Sequence, residues 1–265
     1  VYNPDDELGE MAIAFNKLLD RLEGAFKMQK LFVANASHEI KNPLTAILGE
    51  TEVALARDRP AYEYRESLKN ISLEADRLNL LINNLFQLSS VSDSVVDIKR
   101  EPIVLAELIN EARKQHDFLN PNNQLQVYFD EPANKEAVVF GNSVLLQTAL
   151  INIMDNASKF SSDDVVTMRV AVNRGNVSIT IVDRGVGIPE NDIAKITQPF
   201  FRAENVRQIR GTGIGIPLTL RIVEIHGGKL EVRSELNKGT TVIINLSLAA
   251  TVGSKSINYP AGRYL

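Results

Sequence analysis

Two heptad patterns in the first third of the chain constrain its fold more than any other feature. Apolar side chains recur every seven residues at positions 8, 15 and 22, and again at positions 11, 18, 25 and 32. These are the a and d positions of a coiled coil, which require a partner helix. A second heptad pattern covers residues 68–85, and the Arg-Asp-Arg-Pro-Ala-Tyr segment at 57–62 indicates the turn before it.

Two helices joined by a short turn form an antiparallel hairpin, and one hairpin with two apolar seams leaves much of its apolar surface exposed. Two such hairpins would form a four-helix bundle, so we predict a homodimer. The alternative is that the hairpin packs against the downstream part of its own chain.

A lone histidine lies within this helical pattern. At about 100° per residue, His38 faces away from Ile40 and toward water, and Asn42 lies one turn further along its face. Glu39 adjoins His38 and could orient a neutral, nucleophilic imidazole and accept its proton. Pro43 removes a helical hydrogen bond and is expected to bend or loosen the helix. Taken alone, the pattern fits a nucleophilic histidine or an ordinary exposed histidine beside an ordinary glutamate.

Composition excludes several classes of function. The chain has 265 residues and no cysteine, which rules out disulfides and thiol catalysis. A net charge of −4 gives no general case for nucleic-acid binding, so no nucleic-acid partner is predicted. No apolar run approaches the ~20 residues that cross a bilayer. The chain does not begin with methionine, and we expect it to be a soluble fragment of a longer protein.

After a Ser/Asp/Val-rich linker at 89–97, the pattern changes to mixed α and β. Helices are predicted at 105–118, 142–160 and 212–226, and strands at 124–129, 137–140, 165–173, 176–183, 229–234 and 240–248. Antiparallel strands interleaved with long helices predict a layer of helices on one face of a sheet. Residues 249–265 lack periodicity and are predicted to form a tail.

Two glycine-rich stretches, at 183–189 and 211–216, are candidates for phosphate binding. The second opens a predicted helix, where backbone N–H groups can approach phosphate oxygens. Neither stretch is a Walker loop or a Rossmann fingerprint. Asp183 ends a strand, where its carboxylate could accept the exocyclic amine of an adenine or merely cap a turn.

The long predicted helix carries a second candidate group. Asn152 and Asn156 are four residues apart and share a face with Lys159. Amide oxygens and an ammonium group suit a magnesium-bound triphosphate, because Mg²⁺ prefers hard oxygen ligands. The alternative is a set of helix amides hydrogen-bonded to solvent or loop backbone. Phe160 could stack on a base or close the core.

In order along the chain, these motifs resemble the cytoplasmic part of sensor histidine kinases of two-component systems. Residues 37–44 resemble the phosphoacceptor box, 152–160 the asparagine box, 183–189 and 211–216 the two glycine boxes, and 199–202 the phenylalanine box. The Gly-Thr-Thr at 239–241 resembles the last box. Residues 6–9 with 15–16 resemble the end of a HAMP signalling module.

The resemblance implies a fold of class α plus α/β. Residues 1–30 would form a coiled-coil signalling helix, and 31–92 a dimeric helical hairpin, which becomes a four-helix bundle in the dimer. Residues 97–248 would form an α/β-sandwich ATP-binding domain of the histidine kinase/gyrase type. It also implies a parent protein with upstream membrane helices, of the bacterial inner membrane, whose cytoplasmic portion this chain would be.

The implied activity is ATP-dependent autophosphorylation of His38, followed by transfer to an aspartate in the receiver domain of a response regulator. Glu39 would act as general base, and Asn42 would position a water for dephosphorylating that regulator. Asn156 would hold Mg²⁺. The implied ATP-binding residues are Asn152, Asn156, Lys159, Phe160, Asp183, Gly185, Gly187, Ile188, Phe201, Arg202, Gly211, Thr212, Gly213, Ile214 and Gly215.

Residues 189–210 would form a mobile lid over the nucleotide. Arg210 stands where the family often has a glycine, and Pro217 falls in the first turn of the following helix, so the stiffness of the lid departs from the family pattern. Transfer within one chain and transfer across a dimer are both compatible with the sequence.

Two rival functions share parts of these features. A dimeric pseudokinase would bind nucleotide without turnover, but it would not require the full set of asparagine and glycine motifs. An ATPase of the gyrase or mismatch-repair type would not require the histidine-bearing hairpin.

Overall fold

The computed structural model describes residues 7–92, 98–121, 123–131, 136–173, 175–209 and 211–249. The predicted tail beyond residue 249, much of the predicted linker, the first part of the HAMP-like segment, Arg174 and Arg210 lie outside these residues. The chain divides into two compact units. The first comprises the residues up to Ser89 with Gln198–Arg202 and Ile209–Ile214, and the second comprises Ser90–Thr197, Ala203–Gln208 and the residues from Gly215 onward.

The first unit is built on a helical hairpin. Helix α1 spans Glu7–Leu55 and helix α2 spans Ala61–Ser92, so the coiled-coil segment and the histidine-bearing segment form one continuous helix. Pro43 lies inside α1 without interrupting it. Its effect is therefore local: proline has no N–H, so the carbonyl of Glu39, four residues earlier, loses its helical donor.

Side chains at the turn fix the connection between the two helices. Arg59 Nη1 lies 2.9 Å from Glu63 Oε2, the Arg59 backbone N–H donates to the Tyr64 hydroxyl, and that hydroxyl donates to the carbonyl of Arg57. Along the hairpin, Asn70 donates to Glu50.

The hairpin leaves much of its apolar surface exposed, as the heptad pattern predicts. Leu81 is 2% exposed, whereas Phe86 is 72% exposed on the same helix. Further large apolar side chains are exposed along α1 and α2: Met11, Phe15, Leu18, Leu22, Phe26, Leu68 and Leu80.

The second unit is a five-stranded sheet with helices packed on it. Its strands are β2 (Gln124–Phe129), β4 (Ser161–Asn173), β5 (Asn176–Gly185), β6 (Lys229–Glu235) and β7 (Gly239–Ser247), in the order β2-β4-β5-β7-β6. The short strands β1 (Glu101–Val104) and β3 (Val138–Gly141) form a separate antiparallel pair.

The helices of this unit are α3 (Leu105–Leu119), α4 (Ser143–Phe160), the single turn α5 (Glu190–Ile193) and α6 (Gly215–Ile225). Asn142 caps α4, as predicted, because its side chain accepts from the Leu145 N–H at 3.0 Å. Helices α4 and α6 contact the sheet, and they cover the face where apolar side chains of β4, β5 and β7 are buried at alternate positions: Val166, Met168, Val170, Val177, Ile179, Ile181, Val242, Ile244 and Leu246.

Several predicted elements need correction. The other pairings of the sheet are antiparallel, as predicted, but β2 pairs parallel with β4. Strand β4 begins at Ser161 rather than 165, with a register shift between Ser161 and Val166. Helix α6 begins at Gly215 rather than 212, because Gly213 has φ +71° and cannot join a right-handed helix. Strand β1 was not predicted.

His226 ties the end of α6 to the start of α4. Its Nδ1 lies 2.6 Å from the Ile222 carbonyl oxygen, and its Nε2 lies 3.0 Å from the Asn142 nitrogen. A backbone carbonyl can only accept and a backbone N–H can only donate, so the ring is neutral with its proton on Nδ1. Burial lowers the pKa of His226; the Ile222 hydrogen bond opposes this shift, and the charge of Arg100 adds to it.

This pKa shift predicts a loss of stability in acid. The unfolded histidine has a pKa of about 6.5 and the folded one a lower value, so the unfolded state binds more protons in that window. The contribution of His226 is complete above about pH 6.5 and is lost as the pH falls toward the folded pKa. His226→Gln keeps a donor and an acceptor but does not titrate. Its melting temperature should fall less than that of the wild type between about pH 8 and pH 5, and equal slopes would contradict this role.

Candidate functional site

The predicted phosphoacceptor segment lies within α1, in the first unit. His38 and Asn42 are exposed, Glu39 is half-buried, and Pro43 is buried. The Ser37 hydroxyl donates to the Val33 carbonyl within the helix. The imidazole is therefore open to reaction on a helix surface.

Helix α4 presents its asparagines to the start of α6. A Cβ added to Gly215 would lie 3.4 Å from Asn156 Nδ2 and 3.7 Å from Asn152 Cβ. Asn152 Nδ2 is buried and has no hydrogen-bond partner. An unpaired buried amide costs about 1–3 kcal/mol, so it calls for an acceptor that the protein itself does not supply, a water or a ligand. Phosphate and sugar oxygens of a nucleotide are such acceptors.

Lys159 and Phe160 end the same helix. Lys159 is exposed, and its Nζ lies 5.1 Å from the centroid of the half-buried Phe160 ring. The Phe160 carbonyl accepts from the Val186 N–H at 3.3 Å. The backbone of Phe160 therefore joins the asparagine helix to the first glycine-rich loop.

Asp183 lies at the end of β5 and is 6% exposed. Its Oδ1 accepts from the Gly185 N–H at 2.9 Å and from the Thr240 N–H at 3.2 Å. Both readings of this residue are compatible with this geometry, because the carboxylate caps the loop and lies buried beside the strand end where a base could be read.

Close backbone approaches explain the glycines around Asp183. A Cβ on Gly185 would lie 1.8 Å from the Phe160 carbonyl oxygen, and one on Gly187, which has φ +64°, would lie 2.1 Å from that of Glu235. A Cβ on Gly239, with φ +114°, would lie 2.1 Å from that of Asp183. No larger residue fits these positions without moving the backbone.

The second glycine-rich stretch is divided between the units: Gly211, Thr212, Gly213 and Ile214 belong to the first, and Gly215 begins α6 in the second. In the first unit the Phe200 N–H donates to the Gly213 carbonyl at 3.0 Å, and a Cβ on Gly213 would lie 2.7 Å from the Phe201 oxygen. Arg202 donates to the Ile209 carbonyl.

Each unit thus gathers part of the predicted site. The second unit brings Asn152, Asn156 and Gly215 together, and joins Phe160 to Gly185 and Asp183. The first unit holds His38, Glu39 and Asn42 on α1, and packs Gly213 against the backbone of Phe201.

Sequence reasoning missed the support that the first glycine loop receives. Asn205 Nδ2 donates to the Gly187 carbonyl at 2.9 Å, and the Asn237 N–H at the tip of the β6–β7 turn donates to Val186. The Asn-Lys-Gly turn at 237–239 was the available signal, but nothing local in it shows which loop the turn contacts.

A metal would depend on few protein ligands here. Among the residues that the structure describes, there is no group of three or more His, Cys, Asp or Glu side chains that could hold an ion. An amide oxygen with phosphate and water ligands suits Mg²⁺, which rarely occupies an all-protein cage. Asn156 fits that donor set.

Comparison with known families defines the class of protein. Residues 28–94 match the His Kinase A phospho-acceptor domain, and residues 141–250 match the histidine kinase-, DNA gyrase B- and HSP90-like ATPase family, whose members bind ATP. The protein therefore combines a phospho-acceptor hairpin with an ATPase domain. The chain belongs to the sensor histidine kinases, as the catalytic region of one.

Similar proteins agree with this assignment. The chain is 29% identical over 247 residues to the sensor protein CutS of Streptomyces coelicolor, covering 92% of this chain and 58% of CutS. It is 30% identical over 249 residues to the sensor histidine kinase YkoH of Bacillus subtilis, covering 92% of this chain and 53% of YkoH. The chain thus spans just over half the length of these relatives.

Solved structures share the fold. Histidine kinase ThkA, crystallised with the response regulator protein TrrA, superposes with a TM-score of 0.67 at 21% identity over 89% of this chain and 66% of ThkA. The Acinetobacter baumannii histidine kinase AdeS gives 0.62 at 19% identity over 80% of this chain and 98% of AdeS. None of the helices in the described part of the chain is long and apolar enough to cross a membrane.

The close approach at Gly239 predicts a selective effect on ATP binding. Gly239→Ala forces a Cβ against the Asp183 carbonyl and displaces the strand end that carries the carboxylate. Gly175 also has a positive φ, but a Cβ there would meet nothing within 4 Å. Gly175→Ala is the matched control for backbone strain, which costs about 1–2 kcal/mol in either variant.

Isothermal titration with ATP, with melting temperatures measured in parallel, checks this prediction. Gly239→Ala should weaken ATP binding at least about tenfold, while Gly175→Ala binds as the wild type does. Equal affinities in the two variants would show that the contact does not shape the site.

Proposed function

We propose that this chain uses ATP to phosphorylate its own His38, and then passes the phosphoryl group to an aspartate of a response regulator. The observation that carries the proposal is the pairing of an exposed histidine on a phospho-acceptor hairpin with the unpaired buried amide of Asn152 in an ATPase unit. A phosphoryl donor bound in the second unit would account for both features.

Residues of the second unit account for nucleotide binding. Near the end of β5, the Asp183 carboxylate would accept a hydrogen bond from the exocyclic amine of adenine. The Asn152 amide would donate to the nucleotide, and the Lys159 ammonium would lie near the phosphates. The backbone N–H of Gly215, at the start of α6, would approach phosphate oxygens. Phe160 supports this arrangement through its carbonyl contact with Val186.

Asn156 would hold Mg²⁺ through its amide oxygen. When bound, the ion supplies positive charge to the phosphate oxygens. The supporting observation is the donor set. Asn156 lies close to Gly215 at the start of a helix, and the described part of the chain has no cluster of acidic side chains that could hold the ion alone.

His38 would carry the chemistry. The lone pair of the neutral imidazole attacks the γ-phosphorus, the N–P bond forms, and the bond to the bridging oxygen breaks as ADP leaves. Glu39 would take up the proton of the ring. In the next step the regulator's aspartate attacks the phosphorus and the N–P bond breaks. Asn42, exposed on the same helix, would position a water that hydrolyses the regulator's acyl phosphate.

His38 and Asp183 belong to different compact units. Phosphoryl transfer therefore requires the two units to meet, and we propose that this encounter limits the rate. The lid of residues 189–210, with Phe201 as its anchor, would take part in this step.

Partners follow from the exposed surfaces. The apolar side chains along α1 and α2 would be covered by a second copy of the hairpin in a four-helix bundle. The response regulator is supported by the structural likeness to ThkA, which was crystallised with one. Relatives of which this chain spans just over half the length support a parent protein with sensor and membrane segments, of which this chain would be the cytoplasmic portion.

The experiment separates acceptor from nucleotide site. With γ-labelled ATP and Mg²⁺, His38→Ala should lose all acid-labile label while its affinity for ATP stays within about twofold of wild type. Asn156→Ala should lose both labelling and Mg²⁺-dependent ATP binding. Ser72→Ala, at an exposed serine on α2 outside the phosphoacceptor box, is the control and should label normally. Acid-labile label retained by His38→Ala would refute the proposal.

A further inference from the structure

Ser234, near the end of β6, makes an unusually complete set of contacts. Its Oγ lies 2.8 Å from the Ile188 backbone nitrogen, 2.8 Å from the Gly239 carbonyl oxygen and 2.9 Å from Thr240 Oγ1. The residue is half-buried in the β6–β7 hairpin, and no role follows for it from the site described above.

The chemistry of these partners fixes the direction of each hydrogen bond. The Ile188 N–H can only donate, and the Gly239 carbonyl can only accept. The single proton of Ser234 therefore goes to Gly239, and the Thr240 hydroxyl donates to Ser234. A serine hydroxyl has one donor and two acceptor positions, so its capacity is filled.

These contacts join the hairpin to the loop that carries base recognition. Ile188 ends the loop that begins at Asp183. Thr240, which donates its hydroxyl to Ser234, donates its backbone N–H to Asp183 Oδ1. One serine thus connects the far end of the loop to the residue that orients the carboxylate at its near end.

The glycines leave no slack in this connection. At Gly187 and at Gly239 the backbone packs so closely against a neighbouring strand that an added Cβ would lie 2.1 Å from a carbonyl oxygen. Loop and hairpin are thus in contact, and losing the Ser234 hydroxyl removes the one group that all three polar partners share.

We propose that Ser234 is a positioning residue for recognition of the adenine base. It holds the loop of residues 185–188 and the Thr240 N–H in one arrangement, so that the Asp183 carboxylate meets the exocyclic amine at the correct place and angle. It acts through Asp183 and the loop, without touching the nucleotide. The inference rests on the proposed ATP site.

Base discrimination distinguishes this role from a merely structural one. Inosine triphosphate has the same ribose and phosphates as ATP but a carbonyl in place of the amine, so it forfeits the contact with Asp183. A residue that only stabilises the fold changes the affinities for both nucleotides by the same factor. A residue that positions Asp183 changes their ratio.

The test uses the full chain, with Mg²⁺ and titration calorimetry for both nucleotides. Ser234→Ala should lower the ratio of ATP to inosine triphosphate affinity about tenfold, mainly by weakening ATP binding. Ser234→Thr retains the hydroxyl and should restore the ratio to within about threefold of wild type. Ser247→Ala, an exposed serine at the other end of β7, is the matched control and should leave the ratio unchanged.

Thr240→Val provides a second variant if Ser234→Ala does not fold, because it removes only one donor to Ser234 and keeps the backbone N–H to Asp183. It should lower the ratio about threefold. A wild-type ratio in Ser234→Ala or, failing its folding, in Thr240→Val overturns the inference, whatever the melting temperature does. Asp183→Asn separates failure of this inference from failure of the proposed ATP site. If Asp183→Asn leaves ATP affinity unchanged, the proposed base recognition by Asp183 is itself wrong.

Discussion

The alternation of β5 places a carboxylate at the end of a column of buried apolar side chains, and much of the catalytic unit is arranged around that constraint. Val177, Ile179 and Ile181 precede Asp183 on the same face of the strand, under the helices. A buried carboxylate is costly unless donors compensate it. Here two backbone N–H groups do so, one from Gly185 at the end of the same strand and one from Thr240 on β7.

The glycines follow from this requirement. A loop that folds back to donate to its own aspartate, while a hairpin closes on it from the other side, leaves no room for a Cβ at residues 185, 187 or 239. The same close packing gives Ser234 its three partners. The proposed base recognition by Asp183, the glycines around it and the position of the β6–β7 hairpin thus depend on the same set of backbone contacts.

The helical unit follows the opposite principle. Its helices leave long apolar seams exposed and carry His38 on the surface, as its proposed role as phosphoacceptor for the nucleotide and donor to a regulator requires. Phe15 and Phe86 are exposed on the isolated hairpin, and apolar surface left in water is unfavourable. We infer that dimerisation offsets this cost, so that assembly and catalysis depend on the same pair of helices.

Local patterns in the sequence were enough to predict the main helices, most of the strands, and which asparagines of α4 share a face. The cap at Asn142 and the shared face of Asn152 and Asn156 depend only on helical geometry. The parallel pairing of β2 with β4 could not be read, because it joins residues far apart in sequence. Strand β1 has four residues including Pro102, too few to show alternation. The contacts of the β6–β7 hairpin with the first glycine loop were missed because they involve backbone groups. The Asn237 N–H, for example, donates to the Val186 carbonyl, and such a contact leaves no side-chain pattern in the sequence.

The central claim is that one chain holds both the phosphoryl donor and its acceptor. Mass spectrometry of the full chain after incubation with ATP and Mg²⁺, with digestion kept at alkaline pH, tests it most directly. The account predicts a single acid-labile phosphate on the peptide that contains His38. Phosphate on a serine, threonine or tyrosine, or ATP hydrolysis that leaves His38 unmodified throughout, would contradict it.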